Sequence, residues 1–163
     1  MTIEIKQVDV KKEYALISRF MHDLHKNEYA LNDKTAQWAE IEEAYMRHVL
    51  ASQEHDEGVC LIAYADGDPA GFIFGYTEEP DDSRFEVYVG KELYVSDGYV
   101  HPHYRRRGIY HKLNERLEQI FIARGVRRIT RFTLVANTGM RALLESSGYA
   151  ATRLMYEKWI DQA

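Results

Sequence analysis

The feature that most constrains this chain is the stretch over residues 100–110, VHPHYRRRGIY, set directly after an apolar run and directly before an amphipathic helical pattern. The reading is a strand that stops at Pro102, an arginine-rich turn containing Gly108, and a helix that begins beside it. Such a turn leaves backbone N–H groups unpaired at the positive end of the helix dipole, which is a ready anion site. Glycine keeps side chains clear of those donors, and Arg105, Arg106 and Arg107 carry charge suited to phosphate oxygens. An arginine run alone reads as a solvated surface turn. Its place between a strand end and a helix start favours a phosphate ligand instead.

The rest of the pattern is built around that junction. Residues 2–8 alternate Ile3, Ile5 and Val8 with polar residues and predict a first strand. Residues 10–27 and 35–54 predict two helices, the first with Ile17, Phe20, Met21 and Leu24 at helical spacing, the second with Trp38, Ile41, Tyr45 and Leu50. Asn32-Asp33 offers a turn or cap before the second. Residues 58–65 predict a buried strand, and the Asp66-Gly67-Asp68-Pro69 turn makes 70–77 its hairpin partner. Residues 78–83 (EEPDDS) predict an acidic loop, 85–89 and 92–100 two strands around Gly90-Lys91, and 108–125 a helix. A strand over 128–136, a short helix over 139–147 closed by Gly148, and a last strand over 149–160 complete the reading. That order is a mixed α/β fold on one sheet.

Composition bounds the class. A chain of 163 residues is one domain by length, here residues 1–163, and its 45% hydrophobic and 29% charged residues are ordinary for a soluble globular protein. No apolar run reaches the ~20 residues of a membrane span, and the first residues lack a signal-peptide pattern. The single cysteine, Cys60, lies in an apolar run and reads as a buried core thiol in a cytoplasmic protein. Charge is unevenly divided: residues 1–96 hold 9 Lys/Arg against 20 Asp/Glu, and residues 97–163 hold 12 against 6.

The junction and a second element together resemble the GNAT superfamily of acetyl-CoA-dependent N-acyltransferases. That family's signature runs a strand into V-x-P, then R/Q-x-x-G-x-G/A, then a helix. This chain has Val100-His101-Pro102, then Arg105-Arg106-Arg107-Gly108-Ile109-Tyr110, then a helix through Leu113 and Leu117. The second family element is an Asn followed some eleven residues on by Gly-aromatic, matched by Asn137 and Gly148-Tyr149. The resemblance covers about residues 93–156. It implies largely antiparallel N-terminal strands and a central parallel pair splayed to hold the cofactor. It further implies that Tyr99 and Val100 offer main-chain groups to the pantetheine arm, that residues 105–110 wrap the pyrophosphate, and that Asn137 bonds the arm or orders water. Two positions depart from the pattern. Tyr110 stands where the loop usually ends in Gly or Ala, and Leu144 stands where many members carry a tyrosine that protonates the leaving thiolate. A thiol with a solution pKa of about 8.5 does not strictly need that acid.

The implied chemistry is direct attack of a primary amine on the thioester carbonyl. An alkylamine with a pKa of about 10.4 must first lose a proton, so a carboxylate acting directly or through water is expected. Asp97, three residues before Val100, is the first candidate base and Glu92 the second. The structural alternative is that Asp97 serves the Ser96-Asp97-Gly98 irregularity as a bulge or turn residue. The acidic half suggests a cationic acceptor, a small molecule or a protein amine, with Glu78, Glu79, Asp81 and Asp82, or Glu40, Glu42 and Glu43, at its rim. The competing functional reading is an acyl-CoA-binding module of the same fold without turnover, which Leu144 favours. His22 with His25 and His101 with His103 lack a third ligand, so no metal is expected. Arg124, Arg127, Arg128 and Arg131 raise a nucleic-acid reading that net acidity and the lack of a motif oppose. No membrane partner is expected, and open sheet edges with exposed aromatics are compatible with a homodimer.

Overall fold

Period-two and continuous apolar runs build one sheet. The structure is a computed structural model and describes residues 1–81 and 83–160. In it β1 (Ile3–Val8), β2 (Val59–Ala65), β3 (Asp68–Glu78) and β4 (Glu92–Val100) pair antiparallel in succession, and β5 (Ile129–Thr130) joins β4 in parallel. The order across the sheet is β1-β2-β3-β4-β5. β2 and β3 are apolar and buried almost throughout, as strands covered on both faces must be. A two-residue turn at Asp66 and Gly67, both at positive φ, links them with the twist a hairpin prefers.

Helices cover both faces. α1 (Tyr14–Leu31) and α2 (Trp38–His55) share a buried cluster with Ile62, Phe72, Phe74 and Tyr99. α3 (Ile109–Ala123) packs Leu113, Leu117 and Phe121 with Leu61, Ile73, Leu93 and Val95. Phe72 and Ile73, neighbours in sequence, thus serve opposite cores, the direct result of side-chain alternation along a strand. The residues divide into two compact units, Met1–Phe132 and Thr133–Ala163. The first holds the sheet with α1, α2 and α3; the second holds α4 (Thr138–Ser146).

The mixed α/β reading holds, and several elements differ in extent. α1 begins at Tyr14 rather than at Val10, which is fully buried against the sheet-side core with its N–H bonded by Gln53. α2 begins at Trp38 with Gln37 before it, the Glu40 carboxylate accepting from the Gln37 N–H at 3.1 Å; Asn32-Asp33 closes α1 instead. Residues 85–89 form no strand. β3 and β4 pair with each other as far as Glu78 and Glu92, so the chain between them is an excursion with no ladder to join, and Phe85 and Val87 are exposed. The strand expected over 128–136 is two residues long because its chain leaves β4 after Thr130. Residues 149–160 form no strand, there being no ladder for them among the described residues.

Candidate active site

The site grows from an irregularity in β4. Gly75 opposes Val95 and Phe74 opposes Asp97, so Ser96 has no partner on β3 and the strand bulges there. The extra residue resets the alternation and turns the Asp97 side chain toward α1 and α2. Asp97 is 5% exposed. Its carboxylate accepts from the Tyr45 hydroxyl on α2 and from the Ser96 hydroxyl at 2.6 Å. Burial pushes the Asp97 carboxyl above the usual carboxylate range, and the hydrogen bonds from Ser96 and Tyr45, with His48 and Arg131, partly oppose that. Glu28 on α1 is also raised, by burial first and by the charge of Asp97 second. Tyr45 is raised by burial and by Asp97, and Tyr76 is pushed up to about 12, chiefly by burial. A carboxylate whose pKa has moved toward neutrality is a better base for an ammonium than an ordinary one.

Rings surround this carboxylate. Tyr94 meets Phe132 at 5.9 Å and Tyr76 at 5.5 Å between centroids, Tyr76 meets His48 at 5.7 Å, and Trp38 meets Tyr45 at 6.0 Å. Aromatic faces beside a carboxylate suit a cationic amine.

The opposite face of the same stretch is different. Gly98, next after Asp97, faces α3, and a Cβ built there would fall 2.5 Å from the Tyr110 hydroxyl oxygen. Only glycine lets the phenol lie against the strand. Arg131 donates to the Tyr110 hydroxyl through one terminal nitrogen and to Asn114 Oδ1 through the other at 3.0 Å. Asn114, 2% exposed, donates to Glu118 at 2.5 Å. β5 pairs with β4 only at Leu93–Ile129 and Tyr94–Thr130. From Val95 to Val100 the β5-side edge of β4 therefore has no ladder among the described residues.

That open edge leads into the loop. A 3-10 turn, Pro102–Tyr104, follows β4, and α3 starts after Gly108, which is left-handed at φ 74° with nothing within 4 Å of a Cβ position. Arg106 is also left-handed. No side chain caps α3, and its first ladder bond runs from Lys112 N–H to Gly108 O at 3.1 Å. The N–H groups of Ile109, Tyr110 and His111 thus precede the ladder and face outward with the helix dipole behind them. Ile109 itself is buried in the core, so it contributes backbone alone. Arg105 turns back: its Nε donates to Val100 O at 2.8 Å and its guanidinium lies 5.6 Å from the Tyr99 ring. Arg105 therefore holds the loop to the strand end, and all three arginines are exposed. Arg107 contacts Met1 Sδ at 3.2 Å.

Other residues singled out in the sequence have local employment. Glu92 is 3% exposed and ion-paired with Arg84 and with Arg128 at 3.0 Å. Glu40 serves α2's first turn, Glu42 accepts from Ser18 at 2.9 Å, and Glu43 pairs with Arg47. Glu78 and Glu79 line a cavity of about 430 Å³ with Asp56, Tyr76 and Glu92; Asp81 accepts from Ser83, and Asp82 lies outside the described residues. His22 stacks on Trp38, His25 bonds Ala36 O at 2.7 Å, and His101 accepts from His103 N–H. Among the described residues no group of three His, Cys, Asp or Glu is placed to hold a metal. Arg124 donates to Glu57 O at 2.8 Å, so the basic half is partly spent on internal contacts. Cys60 is fully buried and its thiol is pushed well above the usual range by burial. No described helix is long and apolar enough to cross a membrane. In the second unit, Asn137 caps α4 by accepting from Met140 N–H at 3.1 Å, and Leu144 is buried.

Sequence reasoning missed Glu28, Tyr45 and Arg131 as site residues. Glu28 continues the Ile17, Met21, Leu24 stripe, and a carboxylate on an apolar helix face was the available signal. Tyr45 read as core, and only its hydroxyl meets Asp97. Arg131 carried no signal, since its partners come from a helix distant in sequence.

The chain matches the family model described as "Acetyltransferase (GNAT) family" over residues 19–149. Solved structures share the fold. A GCN5-related N-acetyltransferase from Ralstonia eutropha JMP134 superposes with a TM-score of 0.76 at 19% identity, over 97% of this chain and 99% of that one. An aminoglycoside acetyltransferase from an uncultured soil metagenomic sample gives 0.66 at 22% identity, over 99% and 100%. The aminoglycoside enzyme AAC(6')-Iy, in complex with a CoA-containing bisubstrate analog, gives 0.67 at 17% identity, over 98% and 99%. At these identities the structures speak for the fold alone, whereas the family match spans most of the chain and takes in β4, the arginine loop and Asn137. This chain belongs to the GNAT acetyltransferase family.

Proposed function

We propose that the chain, residues 1–163 acting as one acetyltransferase domain in the cytoplasm, transfers an acetyl group from acetyl-CoA to the primary amine of a cationic acceptor by direct attack. The observation that carries this reading is the bulge at Ser96. It turns a buried carboxylate into the same short stretch of β4 whose outer edge β5 leaves open. The residues present fit the acyl donor. An uncapped α3 N-terminus with free space at Gly108 suits a pyrophosphate, and the unladdered β4 edge by Tyr99 and Val100 suits an amide-rich arm through the Val100 N–H, the Val100 carbonyl being taken by Arg105. Asn137 is assigned to the same arm or to nearby water.

Asp97 takes the role of base, through Tyr45 or a water, with Glu28 as the neighbouring carboxylate; Glu92 is held as an ion-pair anchor by its two arginines. Backbone N–H groups near Val100 meet the oxyanion. The rings and carboxylates on the α1 and α2 side favour a cationic acceptor. The similarity to aminoglycoside acetyltransferases supports a small molecule over a protein. Calorimetry with acetyl-CoA, CoA and ATP tests the donor: micromolar acetyl-CoA binding is expected, and none overturns the assignment. Leu144 favours a second reading, an acyl-CoA-binding module without turnover. Thiol release with a panel of amines separates the two, since only the enzyme produces it.

A further inference from the structure

Leu144 offers no proton, yet a thioester that loses its acyl group must leave a thiolate behind. We propose that Tyr110 supplies that proton, with Arg131 as its positioning residue, an assignment that rests on the acetyltransferase reading above. Asp97 and Gly98 are consecutive in an extended strand, so they face opposite sides of the sheet. Asp97 meets Tyr45 on one side and Gly98 meets the Tyr110 hydroxyl on the other. Both groups border the part of β4 beyond Tyr94, whose β5-side edge has no ladder among the described residues. An amine arriving from the Asp97 side and a sulfur departing on the Tyr110 side need no reshuffling of the bound pair.

The hydrogen bonding leaves the phenol free to act as a donor. Arginine has no acceptor atom, so in the Arg131–Tyr110 bond the phenol oxygen accepts, and among the described residues no bond uses the phenol's own hydrogen. The guanidinium also lies 5.6 Å from the Tyr110 ring and is fixed by Asn114. Its N–H therefore stays bonded to the phenol oxygen while the phenol's own proton is given away. The step balances. The amine nitrogen bonds the carbonyl carbon and gives its proton to the Asp97 side. The C–S bond breaks with its electron pair on sulfur, sulfur takes the Tyr110 proton as CoA thiol, and solvent reprotonates the phenolate.

The test needs no acceptor. CoA itself is the probe, with its thiolate absorbance titrated while bound to wild type, Tyr110→Phe and Arg131→Gln. A phenol that donates to sulfur favours the thiolate, so the bound thiol in wild type titrates below its solution value of about 8.5. Tyr110→Phe keeps the ring and removes the hydroxyl. It is expected to bind CoA within about threefold of wild type and to move that titration up by about one pH unit. Arg131→Gln moves it in the same direction by less. Equal titrations in wild type and Tyr110→Phe, with CoA bound to both, overturn the proton-donor role alone. Tighter CoA binding by Tyr110→Phe together with an unmoved titration shows Tyr110 to be an obstruction and overturns it as well. A wild type that does not bind CoA overturns the underlying reading and this proposal with it.

Discussion

The two edges of β4 are opposites. Toward β3 the strand is laddered along its whole length, from Val100 opposite Gly71 to Glu92 opposite Glu78, broken only by the bulge. Toward β5 it is paired at two residues and has no further ladder among the described residues. One strand thus serves as scaffold along one edge and, in the reading proposed above, as site along the other. The difference teaches that rigidity and access are separated across the strand's width, a few ångströms, and not between domains. The antiparallel edge holds Asp97 and Gly98 in register with Phe74 and Ile73, and the parallel edge beside them carries no ladder among the described residues.

The largest effect is expected where the scaffold is broken. Phe72 is fully buried and stacks on Phe20 at 5.5 Å, so Phe72→Ala should cost about 3–5 kcal/mol in denaturant unfolding. A loss under about 1 kcal/mol contradicts the assignment of that edge as scaffold. On the site side, Asp97→Asn should lower the single-turnover acetyl-transfer rate about 10²-fold or more while acetyl-CoA affinity holds. Rates within twofold of wild type remove Asp97 as base. Gly108→Trp puts a bulky Cβ-bearing residue at positive φ in front of the α3 N–H groups, and calorimetry should show about a tenfold loss of acetyl-CoA affinity. Unchanged affinity places the phosphates elsewhere.

The smallest effect sharpens the contrast through pH. The Asp97 carboxyl is raised in the folded state, so the folded chain holds its proton over a range where the unfolded chain has lost it. That group's contribution to stability is full below the ordinary carboxylate pKa and is lost as pH rises through the raised value. Wild-type stability relative to Asp97→Asn should therefore improve as pH falls from 7 toward 4. A difference that is flat across that window, or that worsens, shows Asp97 to be solvated after all.

Legibility in the sequence divided along the same line. The loop at residues 100–110, the hairpin at Asp66-Gly67 and the α3 stripe were readable because each is local: a turn residue, a period, a helix start. Residues 85–89 carry Phe85, Val87 and Val89 in strand-like alternation, but β3 and β4 had already taken each other as partners. β5 ends at Thr130 although apolar residues continue through Val135, since strand length depends on a neighbour and not on composition. Asp97 was found from its distance to the V-x-P element. Its burial under Tyr45 was not, because that contact closes over 52 residues of chain. The Arg131–Tyr110 bond was hidden for the same reason, the arginine reading as one more surface cation.

The buried Cys60 has a practical consequence. It is the chain's one thiol, sealed in β2 with no solvent contact and with its ionisation suppressed. A thiol-detecting dye added to the folded protein therefore meets a silent protein background, against which the coenzyme released by the transfer proposed above would be the signal. Under denaturant the same dye counts one new sulfhydryl per molecule as the central sheet opens. A single reagent then reports product in one experiment and the unfolded fraction in the other, with no label added.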